Sequence, residues 1–120
     1  MKRLIFLTLL FIPPYLFAGE ADVIAVDIQP LSSNEYRISV TLQHADTGWD
    51  HYANAWEVLD GQGKVIGERV LYHPHVNEQP FTRSLTLRLP AGLKEITIRA
   101  KDSVHAYGGK TMTVAVPASK

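Results

Sequence analysis

The sequence predicts an all-β protein, a seven-stranded antiparallel two-sheet sandwich. Three observations carry that expectation. From residue 22 onward apolar and polar side chains alternate with period two, the pattern of a strand with one face buried. No stretch of ten or more residues keeps a helical period. Clusters of glycine, proline and asparagine punctuate the chain at intervals of roughly 10–15 residues, as in a meander of short strands.

Residues 22–29 form the first expected strand, with Ile24, Val26 and Ile28 on one face. Residues 30–34, Pro-Leu-Ser-Ser-Asn, read as a turn. The clearest strand is 35–43, with Tyr36, Ile38, Val40 and Leu42 inward and Arg37, Ser39, Thr41 and Gln43 outward. After a polar stretch, residues 54–60 carry Trp56 and Val58 on one face. Gly61 and Gly63 then suit a hairpin turn, because glycine tolerates the positive φ such turns need. Residues 65–72 return, with Gly67 marking an expected bulge.

Pro74 and Pro80 bracket a loop, since proline disfavours a continuing ladder. Residues 81–89 alternate again, with Leu85, Leu87 and Leu89 inward. A Pro90-Ala91-Gly92 turn precedes residues 95–102, which bury Ile96, Ile98 and Ala100. A loop ending in Gly108-Gly109 leads to the last expected strand, 110–116, with Met112, Val114 and Val116 inward.

The amino terminus reads as an export signal spanning residues 1–18. Lys2 and Arg3 supply the positive start, and an apolar run to Ala18 follows, interrupted by Pro13-Pro14. That run is too short and too proline-rich for a transmembrane helix. Cleavage is expected after Ala18, with Gly19 or Ala21 as alternatives. A lipoprotein signal needs a cysteine at the cut, and the sequence has none. The expected product is exported, periplasmic or secreted, with residues 19–120 forming one domain and no stable membrane span after cleavage.

The 120 residues include 12 basic and 12 acidic side chains, five histidines and no cysteine. Removing residues 1–18 leaves ten basic against twelve acidic groups, a net charge of −2. Nucleic-acid binding is not expected, because it normally leaves a basic footprint. Without cysteine there is no disulfide framework, thiolate nucleophile, cysteine-ligated zinc, iron–sulfur cluster or blue-copper site.

The strand count and the two-glycine turn resemble a fibronectin type III or immunoglobulin-like domain over residues 22–117. The tyrosine corner of that architecture is missing, with Glu95-Ile96 in its place, and so is the immunoglobulin cysteine pair. A jelly roll or small barrel is the alternative. Gly48-Trp49-Asp50-His51-Tyr52-Ala53-Asn54, His73-Pro74-His75, Glu78-Gln79-Pro80-Phe81-Thr82 and Asp102-Ser103-Val104-His105 also resemble segments of a small exported proteobacterial family. That resemblance implies no particular activity.

Chain order makes the histidines positional. Connections in a seven-strand meander alternate between the two ends of the sandwich. Loops 30–34, 61–64 and 90–94 share one end and contain no histidine. Loops 44–53, 73–80 and 103–109 share the other, and they hold His44, His51, His73, His75 and His105.

Imidazole is the commonest protein ligand for borderline divalent ions, so converging histidines point to Zn(II), Cu(II) or Ni(II), with Zn(II) or Cu(II) preferred. The expected ligands are His51, His73, His75 and His105, with His44 in addition and Glu78 or Asp102 in support. Asp46 and Asp50 are further carboxylates that can fix an imidazole tautomer. A shared ion at 2.0–2.1 Å bonds needs ring nitrogens within about 4 Å of one another. A histidine brace is not expected, since no histidine lies at a candidate mature amino terminus. Nor is a methionine-rich Cu(I) carrier, with only Met1 and Met112 present.

A non-catalytic module recognising an envelope protein or a glycan through the same loops is the competing expectation. Trp49, Tyr52, Tyr72, Phe81 and Tyr107 lie in or beside them, and aromatic faces can stack on a sugar or peptide. Trp56 is expected in the core, and Trp49 with Tyr52 can instead staple the 44–53 loop. No enzyme is expected: Ser84 and Ser103 sit in no nucleophile elbow.

Overall fold

A computed structural model describes residues 19–120. The export signal expected over residues 1–18 lies outside the described residues. The described chain is all strand and turn: β1 (Asp22–Ser32), β2 (Glu35–Gln43), β3 (Ala53–Leu59), β4 (Val65–Val70), β5 (Phe81–Arg88), β6 (Glu95–Asp102), β7 (Ala106–Tyr107) and β8 (Met112–Ala115). Among the described residues, no helix is long and apolar enough to cross a membrane.

The strands form two antiparallel sheets. One has the order β1-β2-β5, and the other β4-β3-β6-β7 with β8 also pairing β6. Between them lie Ile38, Val40 and Leu42 of β2, Trp56 and Val58 of β3, and Ile96 and Ile98 of β6, none with any measurable exposure. Burying side chains of this size stabilises by roughly 1.5–3 kcal/mol each. Outward positions form hydroxyl ladders instead: Ser39 pairs with Ser84 at 2.8 Å and Thr41 with Thr82 at 2.7 Å.

Three departures from the sequence reading have local causes. Ile24 was expected inward but is 39% exposed, and Val23 takes the core position. A bulge between Val23 and Ala25 inserts Ile24 as an extra residue and shifts the phase. The expected turn at 30–34 narrows to Ser33-Asn34, because β1 continues to Ser32. Asn34 takes φ 59°, which asparagine tolerates better than most residues.

The third departure is the strand count, eight rather than seven. The expected last strand begins at 110, yet Ala106 and Tyr107 already pair with Asp102 and Lys101. The chain then leaves β6 and passes against the start of β1. Val23 N donates to Lys110 O at 2.8 Å, and Lys110 N donates to Asp22 Oδ1 at 2.7 Å. A side chain at Gly109 would overlap the Ala21 carbonyl, so that crossing requires glycine. β8 then rejoins β6.

The bulge expected near Gly67 is present. Val58 pairs with Gly67 but Leu59 with Val65, leaving Ile66 over. Connections β2–β3, β4–β5 and β6–β7 meet at one pole, where Ser103 N donates to Tyr52 O at 2.9 Å and His75 N to Asp46 Oδ2 at 2.7 Å.

Candidate metal centre

Two strands deliver polar groups into the core at this pole. In β6 the inward stripe is Ile96, Ile98, Ala100 and then Asp102, 2% exposed. In β2 it is Tyr36, Ile38, Val40 and Leu42, and the same parity continues past the strand end to His44, 3% exposed. Asp46, two residues further, is also buried. Period two alone sends these three side chains inward where apolar residues would otherwise stand.

Asp102 is the hub. Its Oδ2 accepts from His51 Nε2 at 2.5 Å, His105 Nδ1 at 2.8 Å and His44 Nε2 at 3.0 Å. Its Oδ1 accepts from His105 N at 2.5 Å. The rings of His44 and His51 stand edge to face at 4.8 Å, and His51 and His105 lie 4.9 Å apart. Three imidazoles thus fan around a single carboxylate oxygen.

A second carboxylate backs the first histidine. His44 Nδ1 donates to Asp46 Oδ1 at 2.5 Å, and Asp46 also accepts from Ala53 N at 3.0 Å and from His75 N. With carboxylates on both nitrogens, His44 has two ways to be satisfied. Either it is a doubly protonated imidazolium, or Nδ1 keeps its proton and Nε2 faces a cation.

The electrostatics follow from burial. The side chains of His44, Asp46 and Asp102 have no solvent exposure. Burial alone would push Asp102 up, but hydrogen bonds from His105, His51 and His44 outweigh it and hold the carboxyl far below the usual range. Asp46 is likewise lowered, burial being outweighed by His44 and by the His75 and Ala53 amides. Burial disfavours protonation of His44, yet the Asp46 and Asp102 carboxylates more than offset that and raise its pKa. Two ionised carboxylates in the interior demand positive charge beside them.

The donor atoms of His44, His51 and Asp102 all lie within 4.8 Å of one another, a set able to hold a metal ion. That is looser than the 4 Å separation expected between ring nitrogens. Donors around a tetrahedral zinc stand about 3.3 Å apart, so His51 and Asp102, at 2.5 Å, would part by about 0.8 Å and the widest pair, at 4.8 Å, would close by about 1.5 Å. Asp46–His44 supplies the carboxylate–histidine arrangement that fixes a metal-binding tautomer.

His73, His75 and Glu78 occupy a different neighbourhood. The His75 ring stacks on Phe81 at 4.0 Å and lies 4.6 Å from His73. Its Nε2 faces the Arg83 guanidinium at 2.9 Å, and Arg83 pairs with Glu78 at 3.3 Å. Burial, with Arg83 and His73 nearby, lowers the His75 pKa and keeps the ring neutral. An arginine already occupies the place a cation would take.

The aromatic residues divide as well. Trp56 is fully buried and Phe81 nearly so, whereas Trp49 is 68% and Tyr72 74% exposed. Trp49 meets Tyr52 edge to face at 5.6 Å. Tyr107 lies under the Arg99 guanidinium, whose carbon stands 4.0 Å from the ring centre.

Sequence reasoning ranked His73 and His75 with the ligands, and gave Asp46 and Asp102 supporting places. The signal that would have reordered them is stripe parity: 42, 44 and 46, and 100 and 102, share the core-facing phase.

Comparisons with known proteins add one relative of defined extent. A protein of the archaeon Halomicrobium mukohataei, named "Putative lipoprotein", is 41% identical over 95 residues. The match covers 79% of this chain and 47% of the relative, so the chain spans about half the length of the curated relative it matches. Its source is archaeal, where the sequence resemblance had pointed to a proteobacterial family. No family model matches the chain. No solved structure matches it either. Over 79% of its residues this chain is therefore similar to an archaeal protein named as a lipoprotein.

Proposed function

We propose that this is an exported envelope β-sandwich that binds one Zn(II) or Cu(II) through His44, His51 and Asp102, with His105 bracing the carboxylate. The observation that carries the reading is the convergence of three imidazole nitrogens on Asp102 Oδ2, with the first imidazole locked from behind by Asp46. A divalent cation supplies the positive charge that two buried carboxylates require. His73, His75 and Glu78 stay outside the ligand set, and the protein acts without catalysis.

Envelope location is supported by the signal-like composition of residues 1–18 and by the lipoprotein name of the archaeal relative. A fibronectin type III or immunoglobulin-like affiliation is supported by the strand order, three strands facing five with β3 and β6 central. Recognition of an envelope protein or glycan is the second reading. Its support is the exposure of Trp49, Tyr72, Val76 and Val104 on the same loops.

Calorimetric titration of metal-free protein with Zn(II) and Cu(II) tests the metal reading. One equivalent should bind near neutral pH, uptake should fall sharply in His51→Ala, and His73→Ala/His75→Ala should bind as the parent does. Absence of saturable uptake, or uptake lost only in the His73/His75 variant, overturns it. A glycan or peptide reader would ignore chelator and respond to Trp49→Ala.

A further inference from the structure

We infer that the histidine pole is also a membrane-docking face, where Trp49, Tyr72, Val76 and Val104 enter the interface of a zwitterionic lipid surface. The inference rests on the envelope location proposed above and does not need the metal.

Exposed apolar side chains are distributed unevenly. Among the described residues seven large hydrophobic side chains are exposed, and these four stand on the three connections of this pole. The other three, Ile24, Val65 and Val70, belong to strands β1 and β4. The connections at the opposite pole, residues 33–34, 60–64 and 89–94, present none. Single exposed apolar residues are ordinary, but tips of three separate connections gathered at one end mark an interaction surface.

The tips are held rigidly. Trp49 and Asp50 cap a hairpin closed by Thr47 N donating to His51 O at 3.0 Å and His51 N to Gly48 O at 3.2 Å. Val76 follows His75, whose amide is held by Asp46 and whose carbonyl accepts from Gln79 Nε2 at 3.0 Å. Val104 lies in the turn that His105 N closes onto Asp102 Oδ1. Tips fixed in this way lose little conformational freedom on docking.

The path of the chain favours a lipid surface as the occupant. β1 starts at this pole, since Asp22 pairs with Gln43 at the end of β2, and a side chain at Gly108 would overlap Glu20. Residues 1–18, with their apolar run to Ala18, therefore join the fold beside the β6–β8 connections. A membrane-directed segment attached there brings this pole, and not the opposite one, to the bilayer. Tryptophan and tyrosine favour the lipid–water interface, where the ring is apolar and its polar edge stays wet. Charge selects the lipid. Residues 44–52 and 71–80 contain no lysine or arginine, while Asp50 and Glu78 on them are exposed. The contact is therefore apolar and gains nothing from an anionic headgroup.

Phosphatidylcholine vesicles are the probe, mixed in chelator with residues 19–120, which contain both sheets and the whole core. The protein should float with the vesicles and its tryptophan emission should shift to the blue. Brominated phosphatidylcholine should quench Trp49, while Trp56, already buried, stays unaffected. Trp49→Ser/Val104→Ser should weaken partition by about tenfold or more, because two tips lose their apolar area. Val65→Ser removes an exposed apolar side chain from β4 and should partition as the parent does. Vesicles containing phosphatidylglycerol should bind the protein no more tightly. Failure to float overturns the inference and leaves the tips to a protein or glycan. Equal loss in the Val65 variant, or binding that needs phosphatidylglycerol and vanishes in salt, overturns it as well. Because chelator is present throughout, failure here leaves the calorimetric test of metal binding untouched.

Discussion

His44 and Asp46 stand two residues apart and face the same way, with His44 Nδ1 donating to Asp46 Oδ1 at 2.5 Å and neither side chain exposed. In an extended chain that spacing puts both groups on the core side, where β2's apolar stripe has just ended. The pair therefore sets the orientation of His44 before any contact with Asp102 is made. Asp46 also ties the 44–52 connection to the 71–80 connection through the His75 amide.

Asp46→Asn should therefore weaken Zn(II) binding by about 10–100-fold, the usual effect of losing the carboxylate behind a ligating histidine. Calorimetry gives the affinity, and far-UV circular dichroism checks that the sheets persist. An unchanged affinity in a folded variant would remove Asp46 from the site.

Metal should stabilise the fold. At a free concentration 100 times its Kd, Zn(II) adds about 2.7 kcal/mol. For a domain of this size that corresponds to a rise in Tm of about 10 °C or more. Differential scanning calorimetry with and without chelator measures it, and His51→Ala should show no such rise.

Acid should destabilise the metal-free protein in a defined window. The folded pKa values of Asp102 and Asp46 lie below the ordinary 3.8. Their contribution is therefore complete above about pH 4–5 and is lost as pH falls through the depressed folded values. Urea midpoints should drop across that range, and Asp102→Asn should flatten the drop if it folds. Asp46→Asn supplies the second slope.

His44 acts in the opposite sense. Its folded pKa is raised above 6.5, so its contribution is complete below that value and fades as pH rises through the folded one. Metal-free protein should have a higher urea midpoint at about pH 6 than at about pH 9. Metal reverses this trend, because it needs a deprotonated Nε2. His44→Gln should lose both dependences.

The two tryptophans should separate cleanly. Trp49→Ala should change stability by within about 0.5 kcal/mol, as exposed positions do. Trp56→Ala should cost about 3–5 kcal/mol by emptying the core. Bound Cu(II) should quench the fluorescence of a Trp56→Phe variant, in which Trp49 is the remaining tryptophan, placed two residues from His51.

Strand positions were legible because period two is a local property: Tyr36, Ile38, Val40 and Leu42 announce β2 from the sequence alone. Placing all the histidines in loops of one pole was also legible, since it follows from chain order in a meander. The bulge at Ile24 was not, because nothing in Val23-Ile24-Ala25 says which of two apolar neighbours the register will leave over. The extra short strand at Ala106–Tyr107 depends on Ala106 adopting φ 59°, a conformation alanine rarely signals.

By itself the sequence determined the alternation, the turns, the missing thiols and the shared pole, all of which depend on order along the chain. Tertiary structure decided which histidines meet. His44, His51 and His105 converge on Asp102 because the end of β2 faces, from the opposite sheet, the point where the start of β3 pairs with the end of β6 at Ala53 and Asp102. His73 and His75, as close in chain order, turn instead to Phe81 and Arg83. Parity along a strand places a side chain on a face, but contact between imidazoles needs the register between sheets, and that is set only when the whole core packs.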